Sequence, residues 1–209
     1  CNYQSRKPYE GLERWSVKYI VTAIESRAEN VEYLKAHIPN LEVVWDVKRD
    51  AMDTFLRGCK AGYGASVVRL EDDICLTKNF TAKAEAVIGC DPLQVIQFFS
   101  RSKYDLTLGS RFKNGGTFSM NQCYYLPEGI SEHLVEFYNS AEWEARKTEH
   151  PSGYDVMMAH MFKLERRKYL VSVPSLVEHA VAVSAIHPTR SRFRQSTTFE
   201  NAELRGYTL

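Results

Sequence analysis

Apolar positions along the chain follow two alternating patterns. Residues 17–24 (VKYIVTAI) form an almost continuous β-rich run, the mark of a strand covered on both faces. Ser26 with Glu29 three residues on has the spacing of a capping box. Val31, Leu34 and Ile38 then share one helical face until Pro39-Asn40 ends it. Residues 41–45 (LEVVW) predict a second strand. Met52, Phe55, Leu56 and Cys59 recur at helical spacing, predicting a helix that stops near Gly62 and Gly64. Residues 66–70 (SVVRL) predict a third strand. Such β-α-β-α-β alternation argues for an α/β fold with a Rossmann-type mixed, mostly parallel sheet flanked by helices.

Beyond this unit the pattern predicts strands at 93–99, 121–126 and 170–177. A helix from 130 to about 143 carries Ile130, Leu134, Phe137 and Tyr138 on one face, and another from 154 to about 168 carries Met157, Met161 and Leu164. Residues 101–119 are polar, contain Gly109, Gly115 and Gly116, and read as a long loop of the kind that often bears function. Residues 1–16 read as an N-terminal extension and 185–209 as a basic surface tail, so the 209 residues are expected to form a single domain.

Composition narrows the classes. With 27 Lys and Arg against 26 Asp and Glu, the chain cannot bind nucleic acid by bulk charge alone, although a local basic patch remains open. No run approaches the ~18 apolar residues of a membrane span, and the opening CNYQSRKPYE has no secretory pattern. Cys1, Cys59, Cys75, Cys90 and Cys123 are odd in number and lack CxxC spacing, so free thiols and a cytoplasmic protein are expected.

The chemistry concentrates at Glu71-Asp72-Asp73, directly after the apolar strand at 66–70. Carboxylates at the carboxyl end of a buried strand are costly unless something neutralises them, and in open α/β sheets that end is where ligands bind. A hard divalent cation is a natural counter-charge, commonly held by one or two carboxylates together with substrate phosphate oxygens. In an extended segment Glu71 and Asp73 point the same way and can face one ion together. A solvated acidic turn or a helix cap is the alternative.

The segment VVRLEDDICLTKNF resembles the nucleotide-sugar-dependent glycosyltransferases of the GT-A fold. Members of that family hold Mn²⁺ or Mg²⁺ against the donor diphosphate with an Asp-x-Asp-like motif at the end of a central strand; here its first position is Glu71. The resemblance implies Glu71 and Asp73 as metal ligands, with His179, ending PSLVEH, completing the site. It implies donor-binding roles for Ser26 and Arg27 after the first strand, Asp46 after the second, and Asp72. Asp155, in PSGYD, is the implied general base that takes the acceptor hydroxyl proton. Arg190 and Arg194 of the tail are read as a clamp on the donor diphosphate.

The function expected is metal-dependent transfer of a hexosyl or pentosyl group from a nucleotide-diphosphate sugar, of UDP type, to an acceptor hydroxyl. The absence of a separate nucleophile candidate tilts the stereochemistry toward inversion. The basic ending RSRFRQSTTF also resembles small bacteriophage enzymes that glycosylate hydroxymethylated pyrimidines in DNA. Arg101, Lys103, Arg111 and Lys113 would then meet phosphates. The alternatives are a lipopolysaccharide or polysaccharide acceptor, or a sugar nucleotidyltransferase. The last is disfavoured because ESRAEN, after the first strand, has no glycine for a phosphate loop.

Overall fold

The computed structural model describes residues 16–119, 121–150, 153–180 and 195–199. The predicted opening is present as β1 (Val17–Ala23), α1 (Ala28–His37), β2 (Glu42–Trp45), α2 (Ala51–Ala61) and β3 (Ser66–Glu71). After it come β4 (Ile74–Leu76), α3 (Phe80–Cys90), β5 (Ile96–Gln97), α4 (Asp105–Leu108), β6 (Arg111–Asn114) and β7 (Cys123–Leu126). The remainder is α5 (Ile130–Tyr138), α6 (Ala141–Glu144), α7 (Tyr154–Leu164), β8 (Lys168–Val171) and β9 (Val177–His179).

Seven strands make one sheet in the order β2-β1-β3-β7-β5-β8-β6, and β4 pairs with β9 in a separate ribbon. β1, β2, β3, β5 and β8 run one way, while β7 and β6 oppose them, so the sheet is mixed and mostly parallel as expected. Helices cover both faces. Tyr19, Val21, Val68 and Leu70 pack with Leu34 of α1, with Ile38 just after that helix, and with Phe80, Ala84 and Ile88 of α3. Tyr124, Leu126 and Val171 face the other way, onto Met52 and Phe55 of α2, Leu134 of α5 and Met157 and Met161 of α7. With neither face wet, the strands have no need of polar alternation, which is why they read as unbroken apolar runs.

Several elements depart from expectation. The loop at 101–119 contains α4 and β6, and β6 is one of the two outer strands of the sheet, paired among the described residues with β8 alone. The helix expected from 130 to 143 breaks at Asn139-Ser140, where Ser140 accepts the Trp143 N–H at 3.3 Å and starts α6. The strand expected at 170–177 divides into β8 and β9 around Pro174, which has no N–H for a ladder. Ser26 does not cap α1. It sits in a 3-10 turn (Glu25–Arg27), and Arg27 occupies the N-cap position without a side-chain cap bond. The expected helix at 154–168 ends at Leu164. Cys59, Cys75, Cys90 and Cys123 are free thiols, as expected.

Candidate functional site

The register of the first three strands makes the site. Thr22 lies opposite Glu71 and Ala23 opposite Trp45, so β1, β2 and β3 end level. Ile24, Asp46 and Asp72 therefore emerge side by side at the carboxyl edge. β7 begins at the same edge, where Gln122 O accepts the Glu71 N–H at 3.0 Å. The β4–β9 ribbon pairs Ile74 with His179, and the Ala180 N–H donates to Asp73 O at 2.8 Å. A histidine more than a hundred positions away in sequence is thus returned to the acidic triplet.

The three carboxylates have different surroundings. Asp72 is buried; its Oδ2 accepts the Ile24 N–H at 2.7 Å and its Oδ1 accepts from Arg27 Nη1 at 2.6 Å. Burial pushes its carboxyl above the ordinary range, and Arg27 opposes the shift. Asp73 is also buried; its Oδ2 lies 3.0 Å from Arg27 Nη1 and 3.4 Å from His179 Nε2, whereas its Oδ1 is buried with no hydrogen-bond partner among the described residues. Glu71 turns to the sheet's other flank and accepts from the Tyr154 hydroxyl. Burial, reinforced by the charge of Asp73, pushes the Glu71 carboxyl up to about 8. Arg27 shows the complement: burial works against its charge, but Asp73 and Asp72 outweigh it and hold the guanidinium protonated.

His179 presents a defined tautomer. Its Nδ1 lies 2.7 Å from Ala180 O. A carbonyl only accepts, so Nδ1 carries the proton and the Nε2 lone pair faces Asp73 in the neutral ring. Carbonyl support of one ring nitrogen is also how metal-binding histidines are commonly oriented.

These features define the fit to a divalent ion. Among the described residues no three His, Cys, Asp or Glu side chains are grouped to hold an ion by themselves. The expected set of Glu71, Asp73 and His179 is brought together only as the pair Asp73–His179, with Glu71 engaged by Tyr154. The orphaned Oδ1 of Asp73 and the Nε2 of His179 are nevertheless donors of the right chemistry, and sites of the Mg²⁺ type need only one or two protein ligands beside substrate phosphates.

The other expected residues are more scattered. Asp46 stands at the end of β2, where its Oδ1 accepts the Lys48 N–H at 3.2 Å and the Asp50 N–H at 3.1 Å. Ser26 is exposed. Asp155 is in the first turn of α7, with its Oδ1 accepting the Val156 N–H at 2.9 Å, one residue from the Tyr154 that holds Glu71. Arg190 and Arg194 lie outside the described residues.

Two residues of the site escaped the sequence reading. Asn30, buried in α1, donates its amide to Asp72 O and, at 3.2 Å, to Ile74 O, so it fixes the backbone turn of the acidic triplet. Its signal was a polar residue beside the apolar stripe of α1. Tyr154 links α7 to Glu71 and stacks on Phe55 with ring centroids 4.8 Å apart. Arg69, fully buried on β3 two residues before Glu71, lies 5.3 Å over the same Phe55 ring.

No protein-family profile matches the chain, and no curated protein sequence does. Among solved structures, the CTP:phosphocholine cytidylyltransferase from Streptococcus pneumoniae (LicC) is similar over 78% of this chain and 92% of its own, with 10% identity and a TM-score of 0.43. Likeness at that level says nothing of chemistry. Among the described residues no helix is long and apolar enough to cross a membrane.

Proposed function

We propose that the chain is a nucleotide-sugar glycosyltransferase whose donor diphosphate lies at the carboxyl edge of β3. The observation that carries this reading is the division of labour within the triplet. Asp72 is consumed by Ile24 and Arg27, while the neighbouring Asp73 keeps a buried oxygen with no hydrogen-bond partner among the described residues, and its other oxygen lies 3.4 Å from His179 Nε2. A buried acceptor with no donor is expensive, and a bound cation would relieve that cost. Asp73 and His179 would hold Mn²⁺ or Mg²⁺, which when bound neutralises charge on the donor's diphosphate.

The chain's own residues account for the rest. Arg27 adds fixed positive charge at the same edge, and its ion pairs with Asp72 and Asp73 orient it. Asp155 takes the proton of the acceptor hydroxyl as its oxygen bonds to the sugar's anomeric carbon, while the bond from that carbon to the diphosphate breaks. Tyr154 fixes the start of α7 against Glu71 and so sets where Asp155 stands. The acceptor hydroxyl is that of a saccharide or of a hydroxymethylated pyrimidine.

The test is a screen of nucleotide sugars with Mn²⁺, with products read by mass spectrometry against free sugars and hydroxymethylated DNA. Wild-type protein is expected to transfer a glycosyl group and Asp73→Asn to transfer none. Products formed instead from a nucleoside triphosphate and a sugar phosphate would make the chain a nucleotidyltransferase. A UDP and Mn²⁺ mixture that leaves the melting temperature unmoved would remove the basis of the reading.

A further inference from the structure

Resting on that reading, we propose that a pocket at the carboxyl end of β5 is the acceptor side of the site and receives a phosphate monoester carried by a small acceptor. The pocket has a volume of ≈ 290 Å³; apart from Phe99 its lining is polar, formed by Gln97, Ser100, Arg101, Ser102, Lys113 and Ser119. Its place follows from the ladder. The Phe98 N–H donates to Cys123 O at 3.0 Å and the Glu71 N–H to Gln122 O at 3.0 Å, so β5 and β3 end at the same edge on either side of β7. Two strand spacings, roughly 10 Å, separate pocket and acidic triplet. That distance suits two substrates meeting between them.

The two places carry opposite charge. Around Asp73 the carboxylates outnumber the cations, whereas the pocket has two cations and no acid in its lining. Arg101 is exposed and makes no ion pair with any described residue. The acid near Lys113 is Asp105, which is fully buried and already held by Arg111 at 2.6 Å. Lys113 Nζ lies 6.0 Å from the centroid of the Tyr169 ring and makes no ion pair with a described residue, and burial together with the charge of Arg111 presses it toward losing its proton. An incoming anion would relieve that pressure. Three serine hydroxyls add neutral donors at the same wall, and two cations match the two charges of a phosphate monoester. The competing explanation is that inward-facing charges on β6 merely protect an edge strand from pairing with another chain. That purpose accounts for Arg111 and Lys113, which face inward along β6, but not for Arg101, which lies before the strand.

The experiment measures binding of inorganic phosphate to the full chain by calorimetry, with EDTA present so that no metal draws it to the triplet. Wild-type protein is expected to bind it. Arg101→Gln and Lys113→Met should each weaken binding about tenfold, in line with loss of one charge-assisted contact, while Asp73→Asn leaves it intact. Phosphate affinity unchanged in both basic variants overturns the proposal, and because Arg101 is exposed its variant tests this even if Lys113→Met folds poorly. A second titration uses an unmodified single-stranded oligonucleotide. If Arg101→Gln and Lys113→Met weaken the oligonucleotide but not phosphate, the pocket tracks a polymer backbone and the monoester is wrong. Failure is separable from that of the transferase reading. Phosphate binding that depends on Lys113, in a protein that transfers from no nucleotide sugar, leaves the anion pocket standing and removes the transferase.

Discussion

Asp72 and Asp73 are adjacent, both acidic and both buried, yet their substitutions should have opposite consequences. In Asp72→Asn the amide offers one oxygen where the carboxylate offered two. The carboxylate now accepts the Ile24 N–H at 2.7 Å and Arg27 at 2.6 Å. Whichever donor the amide oxygen serves, its NH₂ group faces the other, so one charge-assisted bond is lost and two donors are opposed. Loss of such a bond costs ~1.5–3 kcal/mol. Arg27 keeps Asp73 at 3.0 Å, which holds the cost below the ~3–5 kcal/mol of leaving a buried charge alone. We expect a loss of ~2–3 kcal/mol, which for a chain of this size lowers the melting temperature by roughly 4–12 °C. In Asp73→Asn the amide oxygen can keep Arg27 at the place of Oδ2, 3.0 Å away, while the NH₂ group takes the place of Oδ1, which has no hydrogen-bond donor among the described residues, and the acid that raises the Glu71 carboxyl disappears. The stability change should stay within ~1 kcal/mol. Stabilisation by UDP with Mn²⁺ should vanish in Asp73→Asn. Urea unfolding of the two variants, each repeated with ligand, reads all of this. Equal destabilisation by both, or a neutral Asp72→Asn, would refute the assignment of Asp72 to structure and Asp73 to ligand.

Glu71 predicts a pH dependence in the metal-free protein. Its folded-state pKa, about 8, lies above the ordinary 4.5, so the folded chain holds a proton that the unfolded chain has released. Its contribution is full below pH 4.5 and is lost as pH rises toward 8, with a slope of at most about 1.4 kcal/mol per pH unit. Glu71→Gln, which keeps a group for Tyr154, should flatten that part of the profile in EDTA; an unchanged profile would assign the slope elsewhere. Two glycine substitutions should differ in sign. A Cβ at Gly58 would stand 2.7 Å from Arg69 Cζ and 2.9 Å from Nη1, against a guanidinium that is buried over Phe55. Overpacking of ~1–3 kcal/mol should outweigh the helix gain of up to ~1 kcal/mol, so Gly58→Ala destabilises in thermal melts. Gly89, in α3, has nothing within 4 Å of the same atom, and Gly89→Ala should stabilise by ~0.5 kcal/mol.

What the sequence made legible follows from which interactions are local. β1, β2 and β3 are covered on both faces, so each advertises itself as an apolar run, and α2 shows its stripe because only one side of it meets the sheet. β6 was hidden for the opposite reason. RFKN lies at the sheet margin with Phe112 and Asn114 exposed, so burial has left almost no mark on its composition. The division of 168–179 into two strands was equally hidden, since VSVPSLV alternates apolar residues with small serines as a strand can, and only the proline speaks against continuity.

The acidic triplet shows where such legibility ends. That it lies at the carboxyl edge of the sheet, where the candidate site is, follows from charge placed after a buried strand, a feature contained in a dozen consecutive residues. Which carboxylate is spent on the fold does not follow, because the deciding donors, the Ile24 N–H and the Arg27 guanidinium, belong to a segment more than forty positions earlier. They meet Asp72 only because β1 and β3 end level, a property of register. The same holds for His179, whose approach to Asp73 depends on β9 pairing with β4. A motif in this fold can thus announce a candidate site. Assigning its members requires knowing which backbone donors the sheet aligns against them, so the exchange of a single N–H between neighbouring strands separates a structural acid from a functional one.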